Sequence, residues 1–257
     1  MNLVRSVIFY IGYFAAMLVC GVLFLPPSPF LPLRSRYRLL NLYNHFIIAW
    51  FRLACGVRYE FSGLDRLPEG PAVILSNHQS EWETVYLQLV KPPVCTVLKK
   101  ELLNFPIFGW ALRLLHPIAL DRSRPSRAMR QVLTQGGVRL KEGLSVLIFP
   151  EGTRVEPGKR RRYNKSGTVI ACRAGVPVIP VAHNAGECWP GRHWVKRPGR
   201  ISLVVGDPIP TAGRTPEEVL AETEAWIEAR LQEISTVPRP AEAPPRDNAK
   251  RVETPVG

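Results

Sequence analysis

The feature that most constrains this chain is a long stretch without charge near its start. No charged residue lies between Arg5 and Arg34, and residues 7–25 form a nearly unbroken apolar run. As a helix rising ~1.5 Å per residue, this run is long enough to cross a hydrocarbon core of ~30 Å. A cleaved signal peptide begins in a similar way, but a proline-rich turn over residues 26–32 follows instead of an A-x-A-like cleavage site. The run therefore predicts a helix that either spans a membrane or dips into it.

A second apolar segment, residues 37–57, has aromatic residues at helical spacing and Arg at both ends. Arg52 near its end argues against a full crossing, whereas a helix lying in the membrane interface explains the mixture of Arg and aromatic residues. A soluble helix packed on the domain is the alternative. We interpret residues 1–58 as a two-helix membrane module. If the first helix spans the membrane, the cluster of Arg34, Arg36 and Arg38 places the rest of the chain in the cytoplasm.

From residue 60 onward the sequence is typical of a soluble α/β domain. Short runs rich in β-branched residues predict strands at 72–75, 94–98, 117–120, 145–149, 176–181 and 201–205. Helical stretches lie between them, at 81–90, 106–115, 124–142 and 167–174. This alternation predicts a largely parallel sheet flanked by helices.

The end of the domain is marked by a helix start signal and then by a change of composition. Thr215-Pro216-Glu217-Glu218 is a capping box with Pro at the first helical position, and it predicts a final helix. From about residue 236 the chain is rich in Pro and poor in apolar residues, which is typical of disorder. The predicted organisation is therefore the membrane module at 1–58, an α/β domain at 59–235 and a disordered tail at 236–257.

The charge of the chain predicts an acidic partner. Lys and Arg number 34 against 21 Asp and Glu, a net charge of +13. Residues 1–59 hold six Arg and no acidic residue, which favours an anionic membrane surface. No nucleic-acid recognition motif accompanies the basic residues, so a nucleic-acid partner is disfavoured. Lys159-Arg160-Arg161-Arg162, with Lys165 close by, is either a solvated loop or a basic surface that meets lipid headgroups or an acidic carrier protein.

Several common kinds of site are disfavoured. Five cysteines without paired spacing argue against a disulfide scaffold. The segment 152–160 is not a P-loop, because five residues separate its glycines and no Ser or Thr follows the Lys. No G-x-S-x-G motif occurs, which disfavours a hydrolase with a nucleophile elbow. His183, Cys188 and His193 do not have the spacing of zinc ligands.

Two segments that follow predicted strands carry candidate chemistry. His78 stands at a strand end with Glu83 in the next helical turn, where the carboxylate could hold one imidazole nitrogen and leave the other as a base. No Ser or Cys nucleophile is evident beside it, which suits a substrate that supplies its own hydroxyl. A His that caps a helix beside a solvated Glu explains the same spacing.

Cationic residues follow three other predicted strands, at Lys99-Lys100, Arg122 and Arg154. Each alone is typical of a solvated charge. Because the strands of a parallel sheet end on one edge, the three together predict an anion site there. Gly152 beside Arg154 would let the backbone approach a ligand closely.

NHQSEWE, KKELLNFPIFGW, FPEGTR and VPVIPVAHNAG follow one another from residues 77, 99, 149 and 176. They resemble the four motifs of the glycerolipid acyltransferase family, and residues 60–205 are most similar to its bacterial 1-acyl-sn-glycerol-3-phosphate acyltransferases. The N-terminal helix pair also resembles the family's membrane-docking module. The first family motif is usually His, four residues, Asp, whereas here the acid is Glu83, which has one more methylene.

The resemblance implies a role for each matching residue. His78 would be the general base that takes the proton from the free sn-2 hydroxyl of 1-acyl-glycerol-3-phosphate, with Glu83 orienting it. The hydroxyl would attack an acyl thioester directly, without an acyl-enzyme, and the product would be phosphatidic acid. The acceptor's glycerol phosphate would be bound by Lys100, Arg122, Glu151, Gly152, Thr153 and Arg154.

The resemblance also implies the partners and the location. The donor would be acyl-CoA or acyl-carrier protein, a co-substrate, and no metal or other cofactor would be needed. The enzyme would lie on the bacterial inner membrane with its catalytic domain facing the cytoplasm. Two alternatives stay open: the same chemistry on another acceptor, such as a lyso-aminolipid or another lysophospholipid, and a non-catalytic membrane protein that binds lipid.

Overall fold

A computed structural model describes residues 1–121 and 125–240 of the chain. It opens with two helices of 23 residues each, α1 (Asn2–Phe24) and α2 (Leu33–Cys55). Within the described part of the chain, α1 alone is long and apolar enough to cross a membrane by length and composition. A proline-rich turn separates the two helices, and α2 ends at Gly56, whose φ of +69° is a left-handed conformation that glycine adopts without strain.

Seven strands form one sheet, and all but one of its neighbouring pairs are parallel. The strands are β1 (Val57–Ser62), β2 (Val73–Ser76), β3 (Val94–Lys99), β4 (Ile118–Leu120), β5 (Ser145–Ile148), β6 (Val178–His183) and β7 (Gly199–Val205). Their order across the sheet is β1-β7-β6-β2-β5-β3-β4, and β6 with β7 is the antiparallel pair. The predicted largely parallel sheet is confirmed, and β1 is an edge strand that the sequence did not reveal.

Five helices complete the domain and confirm the predicted alternation of strands and helices. They are α3 (Trp82–Val90), α4 (Phe108–Leu114), α5 (Pro125–Lys141), α6 (Ser166–Ala174) and α7 (Pro216–Ile234). The predicted capping box begins α7: the Thr215 hydroxyl accepts from the backbone N–H of Glu218, and the Glu218 carboxylate accepts from the backbone N–H of Thr215.

The core lies on both faces of the central strands. In β2, Val73 and Leu75 belong to one apolar cluster and Ile74 to the cluster on the opposite face. All four residues of β2 are buried, as are the four of β5, which is the pattern of parallel strands covered by helices on both sides. The carboxyl ends of β2, β3, β4, β5 and β6 therefore meet at one edge of a rigid sheet.

The N-terminal helices pack directly against this domain. Phe9 of α1 and Phe51 of α2 are fully buried, and both rings lie within 5 Å of the Trp189 ring, with centroid distances of 4.9 and 4.8 Å. The Tyr37 hydroxyl lies 2.7 Å from the backbone oxygen of Leu115, just after α4, and 3.0 Å from that of Val94 at the start of β3. One face of α2 is thus packed, as the soluble-helix alternative expects, while its other face exposes large apolar side chains: Leu42, Phe46 and Leu53.

The predicted tail is described as far as residue 240. Within it Thr236 donates its backbone N–H to Glu187 at 2.9 Å, and Arg239 contacts the Glu228 carboxylate at 3.1 Å with its side chain only 2% exposed. Residues 236–240 therefore lie against the domain. Residues 241–257, the rest of the predicted tail, lie outside the described part of the chain.

Candidate active site

The end of β2 brings His78 to the carboxyl edge of the sheet. The preceding residue, Asn77, is fully buried and pairs with the backbone of His183: its Nδ2 donates to the carbonyl oxygen at 2.9 Å and its Oδ1 accepts from the N–H at 3.0 Å. These two hydrogen bonds fasten the end of β2 to the end of β6. The backbone just before His78 is therefore held in a fixed position.

His78 and Glu83 form the pair that their spacing predicts. The His78 Nδ1 lies 2.7 Å from the Glu83 Oε1. The same oxygen accepts from the backbone N–H groups of Gln79 and Ser80 at 2.8 and 2.7 Å, and the Glu83 Oε2 accepts from the Ser80 hydroxyl at 2.7 Å. Glu83 is fully buried in the first turn of α3. The turn between β2 and α3 thus surrounds the carboxylate with donors.

This environment keeps Glu83 ionised and sets the orientation of His78. Burial raises the pKa of Glu83, but the neighbouring histidines and the hydrogen bonds it accepts outweigh burial and lower the pKa to about 2. An anionic carboxylate at Nδ1 requires the imidazole proton to be on that nitrogen. The Nε2 atom of His78 is therefore the nitrogen left with a free lone pair.

Three residues of the loop after β5 contact His78. The Phe149 ring stacks on the imidazole, with centroids 4.1 Å apart and planes 14° apart. The Glu151 Oε2 accepts from the backbone N–H of His78 at 2.6 Å, and the backbone N–H of Val155 donates to the carbonyl oxygen of His78 at 2.7 Å. Both the ring and the backbone of His78 are thus fixed before any ligand arrives.

Glu151 lies beneath His78 and is only 4% exposed. Burial raises its pKa to about 8, and the nearby Glu228 adds to this, while the His78 N–H and Arg239 oppose it. Burial therefore favours the protonated form of this carboxyl group, whose Oε2 accepts from the His78 backbone N–H.

A cavity of about 650 Å³ opens beside His78. Its volume lies within the range of about 300–1,000 Å³ that is usual for small-ligand sites. One part of the wall is apolar and comes from α1, α4 and the residues around them: Met17, Gly21, Phe24, Ile107, Leu112 and Leu115. The rest of the wall carries His78 and several charged side chains. We call the apolar set of lining residues the apolar chamber and the charged set, with His78, the polar end.

Three cations and one carboxylate line the polar end. Arg154, Arg192 and Lys99 contribute positive charge, and Glu81 lies among them. The Arg154 Nη1 is 2.7 Å from the Glu81 Oε1, and both side chains are about one-third exposed. The excess of positive charge fits an anionic group of a ligand.

The predicted binding residues are placed in different ways. Arg154 and Thr153 line the cavity, whereas Glu151 lies under His78, not in the wall. Gly152 has a φ of +71° and open space where a Cβ would be, so the loop needs a glycine there for its conformation. Lys100 is exposed in the turn after β3 and does not line the cavity. Arg122 lies outside the described residues.

Three charged residues of the cavity wall were not assigned a site role from the sequence. Lys99 rather than Lys100 lines the cavity, and the pair of lysines gives no sign of which one faces it. Arg192 follows Pro190 and Gly191, and this Pro-Gly-Arg turn after the fourth motif is a signal that could have been used. Glu81 stands between His78 and Glu83, but spacing alone does not show that it meets Arg154.

Three of the five cations in the basic run pair with acidic residues of the same chain. Lys159 contacts Glu156 at 2.7 Å, Arg160 contacts Glu224 at 3.3 Å, and Lys165 contacts Glu217 at 2.6 Å. Arg161 and Arg162 are exposed. Most of this run therefore joins parts of the domain, and only its two central arginines stand out as a basic surface.

Comparisons with known proteins agree with this geometry. The acyltransferase family model matches residues 58–184, which include His78, Glu83, Lys99 and Arg154. A 1-acyl-sn-glycerol-3-phosphate acyltransferase of Pseudomonas aeruginosa is 45% identical over 238 residues, which cover 91% of this chain and 93% of that protein. The 1-acyl-sn-glycerol-3-phosphate acyltransferase beta of Homo sapiens is 33% identical, over 69% of this chain and 66% of its own.

A solved structure shares the fold. The crystal structure of the 1-acyl-sn-glycerophosphate acyltransferase from Thermotoga maritima superimposes with a TM-score of 0.77 and covers 90% of this chain and 95% of its own. The sequences are 24% identical, so the match is evidence for the fold.

Proposed function

This chain belongs to the acyltransferase family and is an acyltransferase, and on that premise we propose that its acceptor is 1-acyl-sn-glycerol 3-phosphate, which it converts to phosphatidic acid. The donor is an acyl thioester, either acyl-CoA or acyl-carrier protein. The relatives that are similar over most of the chain carry this acceptor in their names.

The observation that carries the proposal is the meeting of three features in one cavity. His78, which is paired with Glu83, lines the same cavity as the cations Arg154 and Arg192 and as the apolar residues of α1 and α4. An acceptor with a phosphate at one end and an acyl chain at the other places its free hydroxyl between these two parts. A phosphate-free acceptor would have no anionic group with which to bind these cations.

The geometry supports direct transfer with His78 as the catalytic base. The Nε2 atom removes the proton from the acceptor hydroxyl as its oxygen attacks the thioester carbonyl carbon. The new C–O ester bond forms, the C–S bond breaks, and the departing thiolate takes the proton back from Nε2. Glu83 remains anionic throughout and stabilises the imidazolium ion that forms between the two steps. The scheme uses no cofactor beyond the donor.

The apolar chamber accommodates acyl chains, and α1 forms part of it. Met17, Gly21 and Phe24 of α1 line the chamber, while the other side of the same helix exposes a row of large apolar residues: Leu3, Val4, Val7, Ile11, Phe14, Leu18, Val22 and Leu23. We propose that this outer side is immersed in the lipid of the membrane and that substrates enter the chamber from the bilayer.

The contacts of α1 support a helix that lies in one leaflet. Its first half is bound to the domain, because the Ser6 hydroxyl accepts from the backbone N–H of Lys196 at 2.8 Å and Phe9 packs on Trp189. Its second half borders α4, where Ile107 lies against Gly21. A helix held on the domain at both ends favours embedding over spanning. We place the enzyme on the cytoplasmic face of the bacterial inner membrane, where the anionic surface attracts the acid-free N-terminal segment.

Product analysis tests the proposal. Purified protein in anionic vesicles is given lysophosphatidic acid with acyl-CoA, and separately with acyl-carrier protein, and the lipids are identified by mass spectrometry. Phosphatidic acid is the expected product with at least one donor. A lyso-aminolipid and another lysophospholipid are tested in parallel as acceptors, and preference for either of them would overturn the assigned acceptor.

Two variants test the base. His78→Ala is expected to lower kcat by about 100-fold or more, while Glu222→Gln, which alters a surface pair with Arg214 far from the chemistry, should keep wild-type activity. Full activity of His78→Ala would refute the role of His78.

A further inference from the structure

Arg154, which we propose to bind the phosphate of the acceptor, forms an ion pair with Glu81. The Arg154 Nη1 and Glu81 Oε1 are 2.7 Å apart, and both residues line the cavity that His78 opens onto. A guanidinium and a carboxylate at this distance form a charge-assisted hydrogen bond, the same interaction that Arg makes with a phosphate oxygen. Glu81 therefore occupies the position of an anionic ligand.

The rest of Arg154 is held in place independently of Glu81. The side chain passes close to Gly191, where a Cβ would come within 2.8 Å of the Arg154 Cδ. The Arg154 Nε is buried, and no hydrogen-bond partner for it occurs in the described part of the chain. The stem of the side chain is thus confined, while its guanidinium keeps donor capacity for a ligand.

The charge of Glu81 also acts on a buried lysine. Lys196 is 2% exposed, and burial lowers its pKa to about 8, which the negative charge of Glu81 opposes. Arg192 and Lys99 add further positive charge to the polar end. A carboxylate released from Arg154 would therefore remain in a region of positive potential.

From this arrangement we propose that Glu81 is a built-in competitor for Arg154, which the phosphate of the acceptor must displace. This inference rests on the proposed function and adds to it a residue that sets the affinity for the acceptor headgroup. In the empty enzyme Glu81 neutralises Arg154, and in the complex the phosphate replaces the carboxylate. Only a ligand with its own anionic group can make this exchange, so Glu81 raises the selectivity for phosphorylated acceptors and hastens release of the product.

Glu81→Gln removes the competing charge at nearly constant volume and decides the matter. An exposed ion pair contributes up to about 1 kcal/mol, so the KM for lysophosphatidic acid is expected to fall by roughly fivefold. Inorganic phosphate and glycerol 3-phosphate should inhibit the variant at correspondingly lower concentrations. The KM for acyl-CoA should not change. Glu81→Ala serves as the second charge-removing variant, and Glu222→Gln, which removes the carboxylate from the 2.6 Å pair with Arg214, is the matched control.

Three other results would overturn the proposed role of Glu81. If Glu81 merely orients Arg154, its removal will raise the KM for lysophosphatidic acid, and the inference is wrong. An unchanged KM overturns it as well. A fall in the KM for acyl-CoA alone would assign Arg154 to the donor and would also overturn it. A wild-type enzyme that makes no phosphatidic acid would instead refute the proposed function, which keeps the two failures separate.

Discussion

The backbone of His78 is held by a carboxyl group that does not line the cavity, and replacing that group tests how the base is positioned. The Glu151 Oε2 accepts from the His78 N–H at 2.6 Å, in a region where Glu151 is 4% exposed. In Glu151→Ala this N–H loses its acceptor, at a cost of about 1–3 kcal/mol. If the whole cost appears as misplacement of His78, kcat falls by about 10- to 100-fold, because 1.36 kcal/mol corresponds to tenfold in rate.

Glu151→Gln should behave differently. Burial raises the pKa of Glu151 to about 8, which favours the protonated carboxyl group, and that group resembles a carboxamide in size and charge. The Gln oxygen can accept from the same N–H, and we expect kcat within about threefold of wild type, since the acceptor is retained. The KM for lysophosphatidic acid should stay unchanged in both variants, because Glu151 acts through His78.

Steady-state kinetics with lysophosphatidic acid at saturating acyl-CoA give kcat and KM separately. Glu187→Ala is a suitable control, because it removes a carboxyl group that accepts from the backbone N–H of Thr236 at 2.9 Å and does not line the cavity. The reasoning fails if Glu151→Gln loses as much kcat as Glu151→Ala, which would show that the negative charge matters. It also fails if either variant mainly raises KM, which is the result expected from the sequence-based prediction that Glu151 binds the glycerol phosphate.

Three further predictions concern the pair and the chamber. Glu83→Gln should lower kcat by about 100-fold or more with little change in KM, since the imidazole loses its anionic partner; normal turnover would contradict this. In the folded protein the pKa of Glu83 is lowered from 4.5 to about 2. The ionised carboxylate therefore stabilises the fold fully above about pH 4.5, and this stabilisation is lost as the pH falls towards 2. The thermal unfolding temperature of Glu83→Gln should depend less on pH in this window than that of wild type, and equal dependence would refute the shift. Gly21→Leu should reshape the chamber, because a Cβ there would come within 2.5 Å of the Ile107 side chain and force this wall residue to move. Mass spectrometry should show a changed acyl-chain profile in the product, and an unchanged profile would contradict the proposed role of the chamber in acyl binding.

The fold was largely predictable because its signals are local. Strands such as β2 and β5 are short, fully apolar runs, and the capping box at Thr215 marks the start of α7 directly. The missed strand, β1, contains Arg58 and Glu60 and has alternating burial at the sheet's edge. Its partner β7 begins at Gly199, more than a hundred residues away, so nothing near β1 in the sequence reports the pairing.

The site was predictable to the extent that one turn of chain builds it. His78 and Glu83 meet across a single strand-to-helix turn, so their spacing was sufficient. The cations come from separate loops, and whether Lys99 or Lys100 faces the cavity depends on how the chain turns after β3. The support of His78 by Phe149 and Glu151 depends on the packing of two neighbouring strands, which no motif spacing expresses.

The apolar chamber has a consequence for how this enzyme can be handled and altered. Met17, Gly21 and Phe24 belong both to α1 and to the chamber wall, so the segment that we propose to attach the enzyme to lipid is also part of the proposed substrate pocket. Deleting residues 1–24 would not yield a water-soluble enzyme with an intact site; it would open the chamber to water and remove Phe9 from the core. In the proposed function, membrane attachment and acyl binding therefore depend on the same helix, and a change in lipid that shifts α1 against α4 would reshape the pocket at the same time.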